Sequence, residues 1–343
     1  MRLLILTLII ITSNCFAQDK SEMTELGYFG SIVNIHQMNN DSILVVSNGL
    51  DKHVQLYSLS QGEILNRIIR DGKGPKEAKG VVASVLENEG KESYLYINSL
   101  GGKFIKYNMK DSTAEETLTK VVNVSFMQVF QDDLIISKNL VVFPDQIKNR
   151  DSISIGYVLD KNSFKINKEL KVSVDLFDIE NIKGLERLDF LQKIDFKTHV
   201  VYLEKNEFLL LVRGMNKAFY LDDSGDVIKV LDLGDVLPYE MEVVNHEIYG
   251  YGVKTPGIIN NISYVNSDSN EIIISFGQIG ANIRSGYLKI IKTGSEFIIS
   301  KEVLSEHNEV NFFDTNIYMT GKRVYIYGKA KTRTSELYLL DTN

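Results

Sequence analysis

Apolar and β-branched residues fall in short alternating runs along almost the whole chain, separated by Gly, Asn, Asp and Ser. Alternation puts one side of an extended segment into a core, so each run predicts a strand. SILVVSN, HVQLYSL and EILNRIIR follow one another at 42–70, YLYINSL, KFIKYNM and TAEETLTK at 94–120, and DLIISKN, SISIGYVL and KINKELKV at 133–172. Tyr57, Tyr107 and Tyr157 hold the same place in the third strand of each group, 50 residues apart. Tyr220 and Tyr338 hold the equivalent place farther on. A recurring unit of about 50 residues with four short strands predicts a β-propeller.

The strand pattern divides into six units, with blades at about 31–70, 81–122, 124–174, 193–233 and 258–304 and a last unit, NFFDTNIYMT, RVYIYGK and SELYLLD, that has three strands. One spare strand, MTELGYFG at 23–30, precedes the first blade. The expected fold is therefore all-β: a six-bladed propeller of four-stranded antiparallel blades, closed where the N-terminal strand completes the last blade. Such closure leaves no orphan edge.

Residues 1–17 stand outside this pattern. Arg2 precedes the apolar run LLILTLIIIT at 3–12, and Cys15-Phe16-Ala17 sets small residues at −3 and −1 of a cut before Gln18. This reads as a cleaved secretory signal, with 18–343 as a single exported domain, periplasmic or secreted. The alternative makes Cys15 the lipid-modified first residue of an anchored lipoprotein, although Asn14 precedes it where Gly, Ala or Ser is usual. Cys15 is the only cysteine, so the mature domain is expected to hold no disulfide and no thiol chemistry. The net charge of −7 opposes nucleic acid or anionic lipid as a principal partner.

IIRDGKGPKEAKG at 68–80 is similar to the G-x-G-P-x-E-F junction between blades of NHL-like and TolB-like six-bladed propellers of exported bacterial proteins. The matching residues are Gly72, Gly74, Pro75 and Glu77, with Ala78 where the family usually has Phe. The resemblance implies the fold and leaves function open, since such propellers include binding modules, scaffolds and some enzymes. At this junction the glycines permit backbone angles closed to other residues, and Pro75 fixes φ where one blade turns into the next.

Antiparallel strands reverse at each turn, so the connections between second and third strands share one end of the fold with those between blades. The long segments, 138–151, 175–192, 234–257 and 277–286, all fall at that end. Long loops gathered on a rigid scaffold are where binding sits. In 175–192 apolar residues recur every three positions, which fits a helical stripe broken at Gly184. In 234–257 Tyr239, His246, Tyr249 and Tyr251 crowd together. Aromatic and guanidinium groups are the usual anchors of binding surfaces, which singles out Phe143, Arg213, Tyr249, Tyr251 and Arg284.

Catalytic patterns are sparse. No two of His36, His53, His199, His246 and His307 lie within ten residues, which speaks against a local metal-ligand pair. No G-x-S-x-G elbow occurs. Asn48, Asn98 and Asn139 end the second strands of three successive blades, where six-bladed lactonases hold a metal at the channel mouth, but no carboxylate accompanies them in the later blades. The reading favoured is a non-enzymatic binding module or scaffold of the cell envelope, with no cofactor or metal, whose partner is a glycan, peptide or envelope protein. The alternative is a metal-dependent hydrolase or lactonase acting at the channel mouth.

Overall fold

The computed structural model describes residues 23–27, 32–38, 43–48, 53–74, 76–142, 150–179, 182, 184–187, 194–213, 215–233, 242–246, 250–254, 257–266, 270–278, 285–303, 313–320, 323–329 and 335–340. Residues 1–17, Cys15 among them, and Pro75, Phe143, Tyr249 and Arg284 lie outside the described residues.

The described strands form antiparallel meanders of four, with a short parallel pair of Arg70–Asp71 with Glu77–Ala78 on the first and with the third and fourth joined where Asn139–Val142 pairs with Ile194–Lys197. The first sheet is Ile32–Gln37, Ile43–Asn48, His53–Ser58 and Glu63–Asp71. The second is Val81–Glu89, Glu92–Ser99, Lys103–Asn108 and Ala114–Leu118. The third is Val124–Phe130, Asp133–Val142, Ser152–Asp160 and Ile166–Ser173. The fourth is Ile194–Glu204, Glu207–Val212, Lys217–Asp222 and Val227–Asp232. The fifth is Gly257–Asn266, Glu271–Gln278, Ser285–Thr293 and Glu296–Val303. The last sheet joins the two ends of the chain: Phe313–Thr320, Arg323–Lys329 and Ser335–Leu340 are followed by Met23–Gly27, with Met23 opposite Leu340 and Glu25 opposite Tyr338.

Burial follows the alternation that predicted the strands. Second strands are the most enclosed, because they are paired on both edges and covered on both faces: Leu44, Val45, Val46, Leu209, Leu210 and Leu211 are fully buried. Fourth strands carry the exposed apolar residues, among them Ile64, Leu118, Val227 and Ile298. The core is shared between sheets. Val45 and Val54 of the first sheet pack with Leu95, Ile97 and Ile105 of the second, and Val201 and Leu209 of the fourth pack with Ile262, Ile272 and Ile274 of the fifth.

First strands of neighbouring sheets touch: first with second, second with third, third with fourth, and last with first. Side chains then take main-chain groups across these gaps. Tyr318 Oη donates to the Ile32 carbonyl at 3.2 Å, and Asn34 Nδ2 to the Ser84 carbonyl at 3.0 Å. Gln128 Nε2 donates to the Tyr202 carbonyl at 2.8 Å while its Oε1 accepts from Tyr202 N at 2.9 Å. Each such bond satisfies a buried group that no strand reaches.

The end that carries the short turns is held together by lysines. Lys161 closes the third strand of the third sheet and reaches Glu87 and Glu89, at the first turn of the second sheet, at 2.8 Å each. Lys292, at the same place in the fifth sheet, pairs with Glu204 of the fourth, and Lys168 pairs with Asp223 at 2.6 Å. Lys161 and Glu87 are largely buried, with side chains 8% and 13% exposed, so removing the cation strands a carboxylate. Lys161→Met is expected to cost about 3 kcal/mol, and the double change with Glu87→Gln clearly less than the sum of the two single changes. Urea unfolding of the four proteins checks this, and additive losses would show that the pair is not coupled.

The blade-junction motif folds around its own carboxylate. Glu77 Oε2 accepts from Gly74 N at 2.7 Å, and Lys103 Nζ donates to the carbonyls of Gly74 and Glu77 at 2.9 Å each. A Cβ on Gly72 would come 2.1 Å from Glu77 Oε2 at a φ of +154°, whereas Gly74 leaves its Cβ position 3.0 Å from the same oxygen. The glycines make room for Glu77 as much as they supply unusual angles.

Two inserts differ from the sequence expectation. The described residues of 175–192 do not form an α-helical stripe: they include 3₁₀ turns at Val174–Phe177 and Leu185–Arg187, and Phe177, Ile179 and Ile182 lie in the core of the third and fourth sheets. An apolar residue every third position suits the three-residue turn of a 3₁₀ helix. Segment 234–257 contains a β-ribbon, Glu242–His246 paired with Gly250–Lys254. Its Val243 is buried in the same core, next to Gly184.

Candidate functional site

The starts of four first strands and Tyr318, late in the first strand of the last sheet, converge on one cavity of about 210 Å³. Ile32, Val33 and Asn34 line it from the first sheet, Val82, Ala83 and Ser84 from the second, and Ser125, Phe126 and Met127 from the third. Lys197 of the fourth sheet and Tyr318 of the last complete the wall. Strand starts sit beside the between-blade connections, so the cavity lies at the end where the long inserts gather.

One side of the wall is a chain of small polar groups. Ser84 Oγ is 2.7 Å from Ser47 Oγ and 3.0 Å from His36 Nε2. Burial holds the His36 imidazole down at about pKa 4, against a smaller opposing effect of its contact with Ser84, so the ring is neutral at pH 7.

The other side is basic. Val201 and Leu203 face the fifth sheet, and alternation along the strand sets Lys197 and His199 on that same side. Thr198 points the other way and donates to the Lys138 carbonyl at 2.6 Å. Arg213, one residue past the end of the second strand, donates its backbone N–H to the Lys197 carbonyl at 2.8 Å and has an exposed side chain. Burial, and then the Arg213 charge, push the Lys197 ammonium down to about pKa 8. His199 is completely buried, its ring edge-on to Phe126 at a centroid distance of 5.8 Å. Neither of its nitrogens has a hydrogen-bond partner among the described residues. Burial above all, then Lys197 and Arg213, hold it neutral, far below the usual histidine range.

The sequence-predicted residues scatter around this cavity. Arg213 neighbours it through Lys197. Tyr251 lies in the ribbon opposite Asn245. Asn48 is fully buried, opposite Ile32 in the first sheet, and Asn98 is buried opposite Ala83 with an Nδ2 that has no partner among the described residues. Asn139 does not end its strand. The strand runs on to Val142 and pairs with Ile194–Lys197, leaving Asn139 exposed opposite Lys197. No group of three His, Cys, Asp or Glu side chains among the described residues is placed to hold a metal ion.

Lys197 and His199 were missed by sequence reasoning, which searched for histidine pairs and loop aromatics. The visible signal was Lys-Thr-His inside an otherwise apolar first strand, IDFKTHVVYLE. A second concavity of about 610 Å³ lies at the same end between the first and second sheets, lined by Lys73, Lys79, Leu100 and Leu118 among others.

No protein-family profile matches the chain, and no curated protein matches it. Among solved structures it is similar to a candidate exported protein of Bacteroides fragilis NCTC 9343, at 10% identity over 95% of this chain and 96% of that one, with a TM-score of 0.52. It is similar to the WD40 repeats of RRP9 at 10% identity over 94% and 98% of the two chains, also with a TM-score of 0.52. At these identities the likeness shows the fold: the chain is a β-propeller.

Proposed function

We propose that this chain is an exported six-bladed propeller, NHL-like or TolB-like in kind, closed as a ring by Met23–Gly27, that binds a ligand non-enzymatically at the end carrying the long inserts. The observation that carries this reading is the cavity where first strands from five sheets meet, with Lys197 in its wall. The lysine pairs at the opposite end serve the join between sheets, which supports placing recognition away from them.

Hydrogen exchange tests the choice of end. A panel of glycans, peptides and small metabolites is screened by thermal shift, and exchange is measured with any hit. Protection is expected over 32–34, 82–84, 125–127 and 197–199. Protection confined to the short turns at 90–91, 131–132, 223–225 and 294–295 would put function at the other end. Asp223 and Lys292 are poor neutral controls there, because each is in an ion pair between sheets.

Export is tested on its own. Mass spectrometry of the native protein is expected to give a mature chain starting at Gln18, and a diacylated N-terminal Cys15 would replace secretion with membrane anchoring.

A further inference from the structure

The turn between the second and third strands of the second sheet presents a leucine to solvent from a fixed backbone. Leu100 N–H donates to the Gly80 carbonyl at 3.1 Å, and Gly102 N–H to the Ser99 carbonyl at 3.2 Å. Gly102 has a φ of +79°, and a Cβ there would lie 2.7 Å from the Thr119 carbonyl oxygen, so the turn is clamped against the chain that leaves the sheet. Held in this way, the Leu100 side chain is 60% exposed. Leu118, which ends the last strand of the same sheet, is 78% exposed. These are the two most exposed large apolar side chains among the described residues, and both line the concavity of about 610 Å³ between the first and second sheets. A lone exposed leucine is ordinary, but the two extremes sharing one hollow mark an apolar patch.

The cations of the same wall divide into two kinds. Lys103 uses its ammonium within the fold: it donates to the carbonyls of Gly74 and Glu77 at 2.9 Å each and pairs with Glu116. Glu116 is the one carboxylate among the residues that line the hollow, so Lys103 already neutralises it. Lys73 and Lys79, from the junction between the first two blades, are exposed and have no ion-pair partner among the described residues. Two unmatched cations therefore border an apolar hollow in a chain whose net charge is −7. A cleft with one sign of charge concentrates ligands of the other.

The edge of the second sheet adds a backbone surface. Ala114–Leu118 is the outermost strand and pairs only with Lys103–Asn108. The backbone groups on its outer side are open to a further extended segment. Leu118 lies opposite Lys103 and Glu116 opposite Ile105, which packs with the first sheet, so Leu118 and Glu116 stand on the side that faces the hollow. The volume falls within the roughly 300–1,000 Å³ of built ligand sites, enough for a few side chains.

We propose that this hollow docks an extended acidic peptide segment of a partner protein, with an apolar side chain against Leu100 and Leu118, carboxylates toward Lys73 and Lys79, and its backbone beside the edge strand Ala114–Leu118. The inference rests on the reading that the insert-bearing end is the binding end, and it names a partner chemistry there without drawing on the cavity around Lys197. An uncharged glycan would leave both cations unmatched. An anionic bilayer would meet the net negative charge of the whole chain.

Selection from a displayed library of random peptides, on the chain that begins at Gln18, tests this. Enriched peptides are expected to combine Asp or Glu with Leu, Ile or Phe. The strongest of them, titrated by fluorescence anisotropy, is expected to bind the Lys73→Gln/Lys79→Gln variant at least about tenfold more weakly and Leu118→Ser about fivefold more weakly. All three positions are exposed, so these changes leave the core intact. Lys91→Gln, in an exposed short turn at the other end, is expected to bind as the native chain does. Failure to enrich any peptide, enrichment of basic or uncharged ones, or undiminished binding by either variant of the hollow would overturn the proposal. No cosedimentation with phosphatidylglycerol vesicles is expected, and vesicle binding that the double variant loses would overturn it in favour of a membrane. Hydrogen exchange with the selected peptide is expected to show protection over 72–79, 99–103 and 114–118. Protection over 32–34 and 197–199 instead would reject this hollow and leave the choice of end intact, whereas protection confined to the turns at 90–91, 131–132, 223–225 and 294–295 would reject both.

Discussion

A chain that begins at Ser31 is expected to melt about 7 °C below one that begins at Gln18 and to aggregate on warming. The missing segment is only the strand Met23–Gly27, yet it pairs with four of the six residues of Ser335–Leu340, from Met23 opposite Leu340 to Gly27 opposite Leu337. It also reaches the first sheet, where Tyr57 Oη donates to the Leu26 carbonyl at 3.3 Å. Leu26 packs against the cluster of Ile32, Leu44, Tyr57, Tyr318 and Leu337. Losing the ladder and this cover amounts to about 4–5 kcal/mol from several hydrogen bonds and one partly buried leucine. For a domain of this size each kcal/mol moves the midpoint by about 1.5 °C. The strand Ser335–Leu340 would become an unpaired edge, which templates association between molecules. Scanning calorimetry with light scattering checks both parts. An unchanged midpoint would mean that Met23–Gly27 adds nothing to closure.

How much of this was legible follows from which forces set each feature. The strands were legible because burial on alternate positions is written in the sequence: HVQLYS and KFIKYN read as strands and are strands, with Tyr57 and Tyr107 buried at matching places. The pairing of the two chain ends was legible from a strand deficit at one end and a surplus at the other. The inserts were less so. A spacing of three fits both a loose α-helical stripe and 3₁₀ turns, and packing of Ile179 and Ile182 into the shared core decided between them. The ribbon at 242–254 hid in a stretch where tyrosine and glycine suggested an irregular loop. The site was hardest to read. Lys197 acquires its chemistry from the first, second, third and last sheets that close the cavity around it, and His199 from burial against Phe126 of the third sheet; no spacing within one strand encodes that enclosure.

Stability is expected to fall through His199 as pH drops below about 6.5, with a slope approaching about 1.4 kcal/mol per pH unit. The folded protein keeps this histidine neutral far below its ordinary range, because the ring is fully buried beside Lys197 and Arg213. The unfolded chain binds the proton near pH 6.5, so the neutral form contributes stability above that pH. As pH falls, the unfolded state gains a proton that the folded state refuses, and about 1.4 kcal/mol is lost per pH unit until the folded pKa is reached. His36, held at about 4, acts with the same sign over the same window. The lowered carboxylates Asp111, Asp160 and Asp222 act with the same sign but lose their contribution at lower pH, as their hydrogen-bonded carboxylates take up protons. Urea unfolding at pH 6.5, 5.5 and 4.5 measures the slope. His199→Phe keeps a ring of similar size against Phe126 and removes the titrating nitrogens, so its slope is expected to be shallower by about 1.4 kcal/mol per pH unit. An identical slope in the variant would mean that His199 is protonated in the folded state, and the buried imidazole would then sit beside Lys197 and Arg213 as a third cation.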